Sequence, residues 1–145
     1  MRKILLCIII SVMCMNALMP VCSAEDISLS EAEKDMICRF TDAAVGDAPL
    51  AAKLGIVNVV LNRLADSDFP DTVTEVIFLG GFECVEDGRF EKAYLSPLSV
   101  SAKDALDLAL MGRDPTGGAV YFAEKSRNAE KISISFDAGR FVFGK

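Results

Sequence analysis

The chain has 145 residues, with 15 Lys and Arg against 21 Asp and Glu, a formal net charge of −6 and no His. An acidic balance argues against nucleic-acid binding, which needs a basic stripe. The missing His removes Ser-His-Asp and Cys-His catalysis and the common zinc hydrolase sites, and leaves acid–base chemistry to carboxylates. No cofactor and no metal are expected.

The N-terminus reads as an export signal over residues 1–24. Arg2 and Lys3 precede a nearly wholly apolar run from Leu5 to Met19, and Pro20-Val21-Cys22-Ser23-Ala24 then leads into Glu25-Asp26. Small residues at Cys22 and Ala24 suit cleavage after Ala24. The alternative is an uncleaved N-terminal membrane anchor, although the apolar run is shorter than the ~20 residues of a spanning helix. Residues 25–145 then form one domain. That domain is more acidic than the whole chain, because every acid lies after position 24 and two bases lie before it. Of five cysteines, Cys38 and Cys84 remain after cleavage. They are either one disulfide or two free buried thiols, and Cα separation decides between them.

Ser30-Glu31-Ala32-Glu33 has the form of a capping box and starts a helix that runs to about Ala44. Val45-Gly46-Asp47-Ala48-Pro49 breaks it. The next helix spans Leu50 to about Ala65. Its middle, Leu54 to Leu61, is apolar on nearly every face, which marks it as the buried central helix. Asn58 is the exception and reads as a buried amide bonded to a backbone group. A short helix follows, from Asp71 or Thr72 to Phe78, ended by Gly80-Gly81. Residues 82–98 read as irregular, with weak strand or turn character. Ala102, Ala105, Leu106, Ala109 and Leu110 follow helical spacing from Ser99 or Ser101 to a stop at Gly112. Asp114 to Gly118 is a turn, and Ala119 to Phe122 a strand. Lys131 to Phe136 alternates as a half-exposed strand, Asp137 to Arg140 turns, and Phe141 to Phe143 forms the last strand. The fold class is α+β, with helices around a buried central helix and a small antiparallel sheet in the C-terminal part.

Five segments share a pattern. Ile37 to Pro49 leads into a helix ending Leu61-Asn62-Arg63; then come Phe69 to Ile77, Gly112 to Phe122 and Gly139 to Phe143. In order and spacing they resemble the SleB-type cell wall hydrolases, which cleave the glycan strands of bacterial peptidoglycan, notably spore cortex. The resemblance runs from about Ser30 to the C-terminus. It implies a glycosidase or lytic transglycosylase whose catalytic Glu falls on Ala44. A second family acid falls on Ala48, and a family His falls on Arg140. A methyl group cannot donate a proton, so two readings stand. One is an enzyme using a substitute carboxylate, with Asp47, three positions after Ala44, as the candidate. The other is a catalytically inactive relative that binds peptidoglycan glycan or a partner cell wall hydrolase. Phe82, Tyr121 and Phe122 are the candidate sugar-stacking residues, and Arg140 is a candidate contact to substrate carboxylates. The expected locale is extracellular, in the wall or spore. The resemblance also requires a groove in which Ala44 meets Tyr121 or Phe122 and the Phe82 region.

Overall fold

The structure, a computed structural model, describes residues 27–127 and 129–145. The export signal therefore lies outside the described residues. The first helix, α1 (Glu31–Val45), starts on the expected capping box: Ser30 Oγ accepts from the Glu33 N–H, and the Glu33 carboxylate accepts from the Ser30 N–H. Gly46, at φ 54°, turns the chain out of it, in a backbone region costly for other residues.

Helix α2 (Leu50–Ala65) has the expected bounds and is the centre of the fold. Ile56, Val57, Val59 and Val60 are wholly buried, and α1, α3 (Val73–Phe78) and α6 (Val100–Leu110) pack around them. Asn58 is bonded as expected, donating to the carbonyls of Leu54 and Arg113 at 2.9 Å each. Thr72 caps α3 and Ser99 caps α6, each accepting from the backbone three residues on.

Residues 82–98 differ from expectation. They hold two short helices, α4 (Glu83–Glu86) and α5 (Arg89–Ala93), joined through Asp87 and a left-handed Gly88. With four and five residues, neither is long enough to show a helical period in sequence. Tertiary anchors decide: Cys84 and Phe90 are buried, and Phe90 packs edge-on against Phe40, Phe78 and Tyr94.

Three antiparallel strands close the fold in the order β1 (Tyr121–Glu124), β3 (Phe141–Gly144), β2 (Ile134–Ala138). Strand β1 starts two residues later than expected. The carbonyls of Ala119 and Val120 are taken by Asn62 and Arg63, side chains of α2. Strand β2 is also displaced, because residues 129–131 form a single 3₁₀ turn. Its alternation is broken by a register shift between Ile134 and Phe136, where Ser135 Oγ donates to the Thr116 carbonyl at 2.7 Å. The hairpin turn is tighter than expected, since Ala138 already pairs with Phe141. Cys38 and Cys84 are free and buried, and burial pushes both thiols up to about 11.

Two interactions hold the layers in register. Strand β3 approaches α2 at Gly55, where a Cβ would stand 2.5 to 2.9 Å from the ring of Phe143. Behind α1, Asp42 accepts from Lys53 Nζ at 2.8 Å, from Ser99 Oγ at 2.6 Å and from the Ser99 N–H at 3.0 Å. This joins α1, α2 and the start of α6 around Lys53, which is 3% exposed. Burial of the Asp42 carboxyl works to raise its pKa, but the bonds from Lys53 and Ser99 outweigh it and leave the group below its ordinary 3.8.

Gly55→Ala is expected to destabilise the domain by about 1–3 kcal/mol through overpacking against Phe143, despite the better helix propensity of Ala; a lowered denaturant midpoint with unchanged slope would register it. The lowered Asp42 pKa contributes stability that is present above the unfolded value of 3.8 and lost as pH falls through the folded value. Denaturant titrations from pH 6 down to pH 2 should show that loss, and Asp42→Asn should make the decline shallower.

Candidate functional site

Ala44 lies in the last turn of α1, 7% exposed, at the meeting point of two cavities. The larger, about 730 Å³, is walled by the end of α1, the breaking loop, α5 and the β2–β3 turn. The smaller, about 540 Å³, lies between α4 and β1. Ala44, Arg89, Arg140 and Phe141 line both, so the two form one groove with Ala44 at its waist.

The structure brings Phe82, Phe122, Arg140 and Asp47 to this groove. Asp47 lines the larger cavity from the exposed loop, without a hydrogen bond or ion pair among the described residues. Arg140 is largely exposed, with Nε 3.3 Å from Glu124 Oε1. Phe122 is half-buried and stacks on Phe82, at 5.7 Å between centroids. Two of the aromatic candidates are placed differently from Phe122. Tyr121 is absent from the groove lining: it points outward from β1, packs against Phe69 and lies under the Arg63 guanidinium. Alternation along β1 separates it from Phe122. Phe82 reaches the groove but is 6% exposed, its ring engaged by Phe40, Phe122 and Arg63, so it supports the wall instead of offering a free face.

Sequence reasoning missed Glu83, Asp87 and Glu124, three carboxylates of the smaller cavity, and Arg89, which lines both. For Glu124 a signal existed, since it stands two residues after Phe122 on one strand and shares its face. The other three arrive through the packing of α4 and α5, which has no local signature. Each carboxylate of the smaller cavity is matched to an arginine: Glu83 to Arg127, Asp87 to Arg89 at 2.7 Å and Glu124 to Arg140. The Arg89 backbone N–H, then its side chain, hold the Asp87 carboxyl below its ordinary value. Asp42 also borders the larger cavity, but both of its oxygens accept bonds from Lys53 or Ser99. A general acid for glycoside cleavage needs a carboxyl kept protonated by a partly apolar setting. At Ala44, the position to which the resemblance assigns that acid, the side chain is a methyl group.

The retained Asn62 and Arg63 hold the groove wall. Asn62 donates to Asp114 and to the Ala119 carbonyl at 3.1 and 2.9 Å. Arg63 donates to the carbonyls of Val120 and Gly80 at 2.7 and 3.1 Å. Asp114 organises the turn before β1, accepting from Thr116 N–H and Oγ and from the Gly118 N–H.

Comparison with known proteins places this geometry. The sequence model of the cell wall hydrolase family matches residues 47–142. A spore cortex-lytic enzyme of Halalkalibacterium halodurans is 39% identical over 87 residues, 57% of this chain and 25% of that relative. One from Bacillus cereus is 40% identical over 75 residues, 51% of this chain and 27% of that relative. The matched region thus spans about a quarter of the length of these curated relatives. Among solved structures, the catalytic domain of the Bacillus cereus SleB protein superposes with a TM-score of 0.71 at 25% identity, covering 82% of this chain and 94% of that one. The catalytic domain of the germination-specific lytic transglycosylase SleB from Bacillus anthracis gives 0.70 at 28% identity, covering 82% and 98%. Two thirds of the sequence matches the family model, and the described fold is that of the SleB catalytic domain: the chain belongs to the cell wall hydrolase family.

Proposed function

We propose that residues 25–145 form an exported domain that binds peptidoglycan glycan strands in the groove at Ala44, with the cleavage chemistry of the family impaired or lost. The observation that carries this reading is the position of Ala44 at the waist of the groove, where both cavities meet. Around it, the carboxylates of the smaller cavity are paired with arginines and Asp42 is committed to Lys53 and Ser99. The two cavities run on from each other past Ala44, and in this reading the group that would protonate a leaving sugar is replaced by a methyl. Loss of a general acid costs ~10²–10⁴-fold in rate. Kinship with spore cortex-lytic enzymes supports peptidoglycan as the ligand and the wall or spore as the locale. An inactive relative of this kind would serve by occupying the glycan or by seating a partner cell wall hydrolase.

One observation favours the competing enzyme reading. Asp47 lines the larger cavity and has no partner among the described residues, so it is the carboxylate free to act. It stands in the exposed loop, three residues beyond Ala44, and not at the buried waist of the groove.

Zymography on purified cell wall separates the two. Wild type is expected to give little or no lysis, and Ala44→Glu to restore measurable lysis, because Ala44 faces open volume on both sides. Lysis by wild type that disappears in Asp47→Asn would establish the enzyme reading instead. Export has its own check: mature protein from a secreting host should begin at Glu25, whereas an intact N-terminus in the membrane fraction would favour the anchor.

A further inference from the structure

The two ends of the groove differ in how their charges are used. In the smaller cavity the acids and arginines are matched one to one. The larger cavity is bordered by Arg89, Lys92 and Arg140, and each keeps donors to spare. Arg140 engages Glu124 through Nε at 3.3 Å. Arg89 uses Nε on Asp87 at 2.7 Å and one terminal nitrogen on the Ala43 carbonyl at 3.3 Å, which leaves its other terminal nitrogen. Lys92 is exposed, and its Nζ has no partner among the described residues. Against these stand two acids. Asp42 already accepts bonds at both oxygens, and Asp47 sits in the exposed loop. In a chain of net charge −6, this is a local excess of unsatisfied cationic donors inside a concavity.

We propose that the larger cavity is an anion-reading subsite, in which Arg89, Lys92 and Arg140 receive a carboxylate carried by the muramic acid units of the bound strand. The proposal rests on the glycan-binding reading above and adds a preference: acidic strands over the same strands with neutral side groups. Guanidinium groups suit this role because they stay charged and present paired donors to a carboxylate. Arg89 and Arg140 also line the smaller cavity, so a carboxylate held between them fixes the register of the sugars beside Ala44. Two carboxylate sources share this chemistry, the lactyl group of an unsubstituted muramic acid and the stem peptide.

The test is binding of the intact mature domain, by calorimetry, to soluble glycan strands in three forms: with stem peptides, stripped of peptides so that lactyl carboxylates are free, and with all carboxylates amidated. At low ionic strength the carboxylate forms should bind on the order of tenfold more tightly than the amidated form, as expected for a few partly exposed ion pairs. The preference should shrink as salt rises. The tighter of the two acidic forms identifies the carboxylate source. Arg140→Gln and Lys92→Gln, both at exposed positions, should each narrow the ratio between acidic and amidated strands several-fold. Glu124→Gln, which releases Arg140, should widen it. Equal affinity for acidic and amidated strands overturns the subsite while leaving glycan binding standing. Binding to none of the three overturns both.

Discussion

Arg63, in the last turn of the central helix, is 4% exposed, and its guanidinium has no carboxylate partner among the described residues. A buried charge of this kind is costly unless its donors are satisfied and its field is compensated. Here the donors go to the carbonyls of Val120 and Gly80, and the planar group lies over the rings of Phe82, Phe69 and Tyr121 at 4.3, 4.8 and 5.3 Å. Burial lowers its pKa, but an arginine remains charged. One side chain therefore fixes the entry to β1, the loop after α3 and the aromatic wall between them. Gly80 follows from the same constraint, since a Cβ there would stand 2.7 Å from Arg63 Nη1 and 2.5 Å from the Phe82 ring. The smaller cavity has its shape because Arg63 holds Phe82 against Phe40, and Phe82 in turn supports Phe122.

The other wall depends on Asp42. Its bonds to Lys53 and Ser99 clamp the last turns of α1 against α2 and α6, and Ala44 follows two residues later. The two residues project in different directions from the helix, one into the packed interface and one toward the groove. A carboxylate so close to the site thus has a structural task, and the bonds that lower its pKa make it a poor proton donor. Helical spacing already points Asp42, two positions before Ala44, to another side of α1, and leaves Asp47 as the candidate neighbour. Packing adds the reason, with Asp42 tied into the frame and Asp47 in the open loop.

The long elements were legible because their signals are local. The capping box at Ser30, Pro49 before α2 and the apolar run from Leu54 to Leu61 set two helices to within a residue. The α+β class followed from those helices and the C-terminal strands. Where tertiary contacts decide, the sequence was silent. Residues 82–98 became two helices through burial of Cys84 and Phe90, and β1 was delayed because side chains of α2 capture the carbonyls that would extend it. The site divides the same way. Ala44, Asp47, Phe122 and Arg140 were found through their place in a spaced pattern. Arg89 and Glu83 reach the groove only because α4 and α5 pack under α1. Tyr121 was a candidate beside Phe122, and the fold commits it to the opposite side with Phe69.

In the proposed reading, a methyl at Ala44 in place of the acid changes how the groove uses binding energy. In an active glycosidase, part of the interaction with substrate appears only as charge develops at the sugar and the leaving oxygen takes up a proton. Without a donor at Ala44 there is no such gain on approaching the transition state. In the proposed reading, contacts along the strand then contribute to ground-state affinity alone. The arginines that neutralise Glu83, Asp87 and Glu124 fit this use, because paired charges leave the surface polar without placing a free carboxylate against the glycan. A carboxyl restored at Ala44 would be rooted at a position only 7% exposed, where burial favours the protonated form, while Arg89 and Arg140, which line both cavities with it, favour the ionised one. Their presence on both sides of the waist means that the acid and its surroundings are coupled. A groove that had lost only its acid would accept the Glu as a proton donor directly, whereas one whose charges have adjusted to the methyl would hold it as a salt-bridged anion.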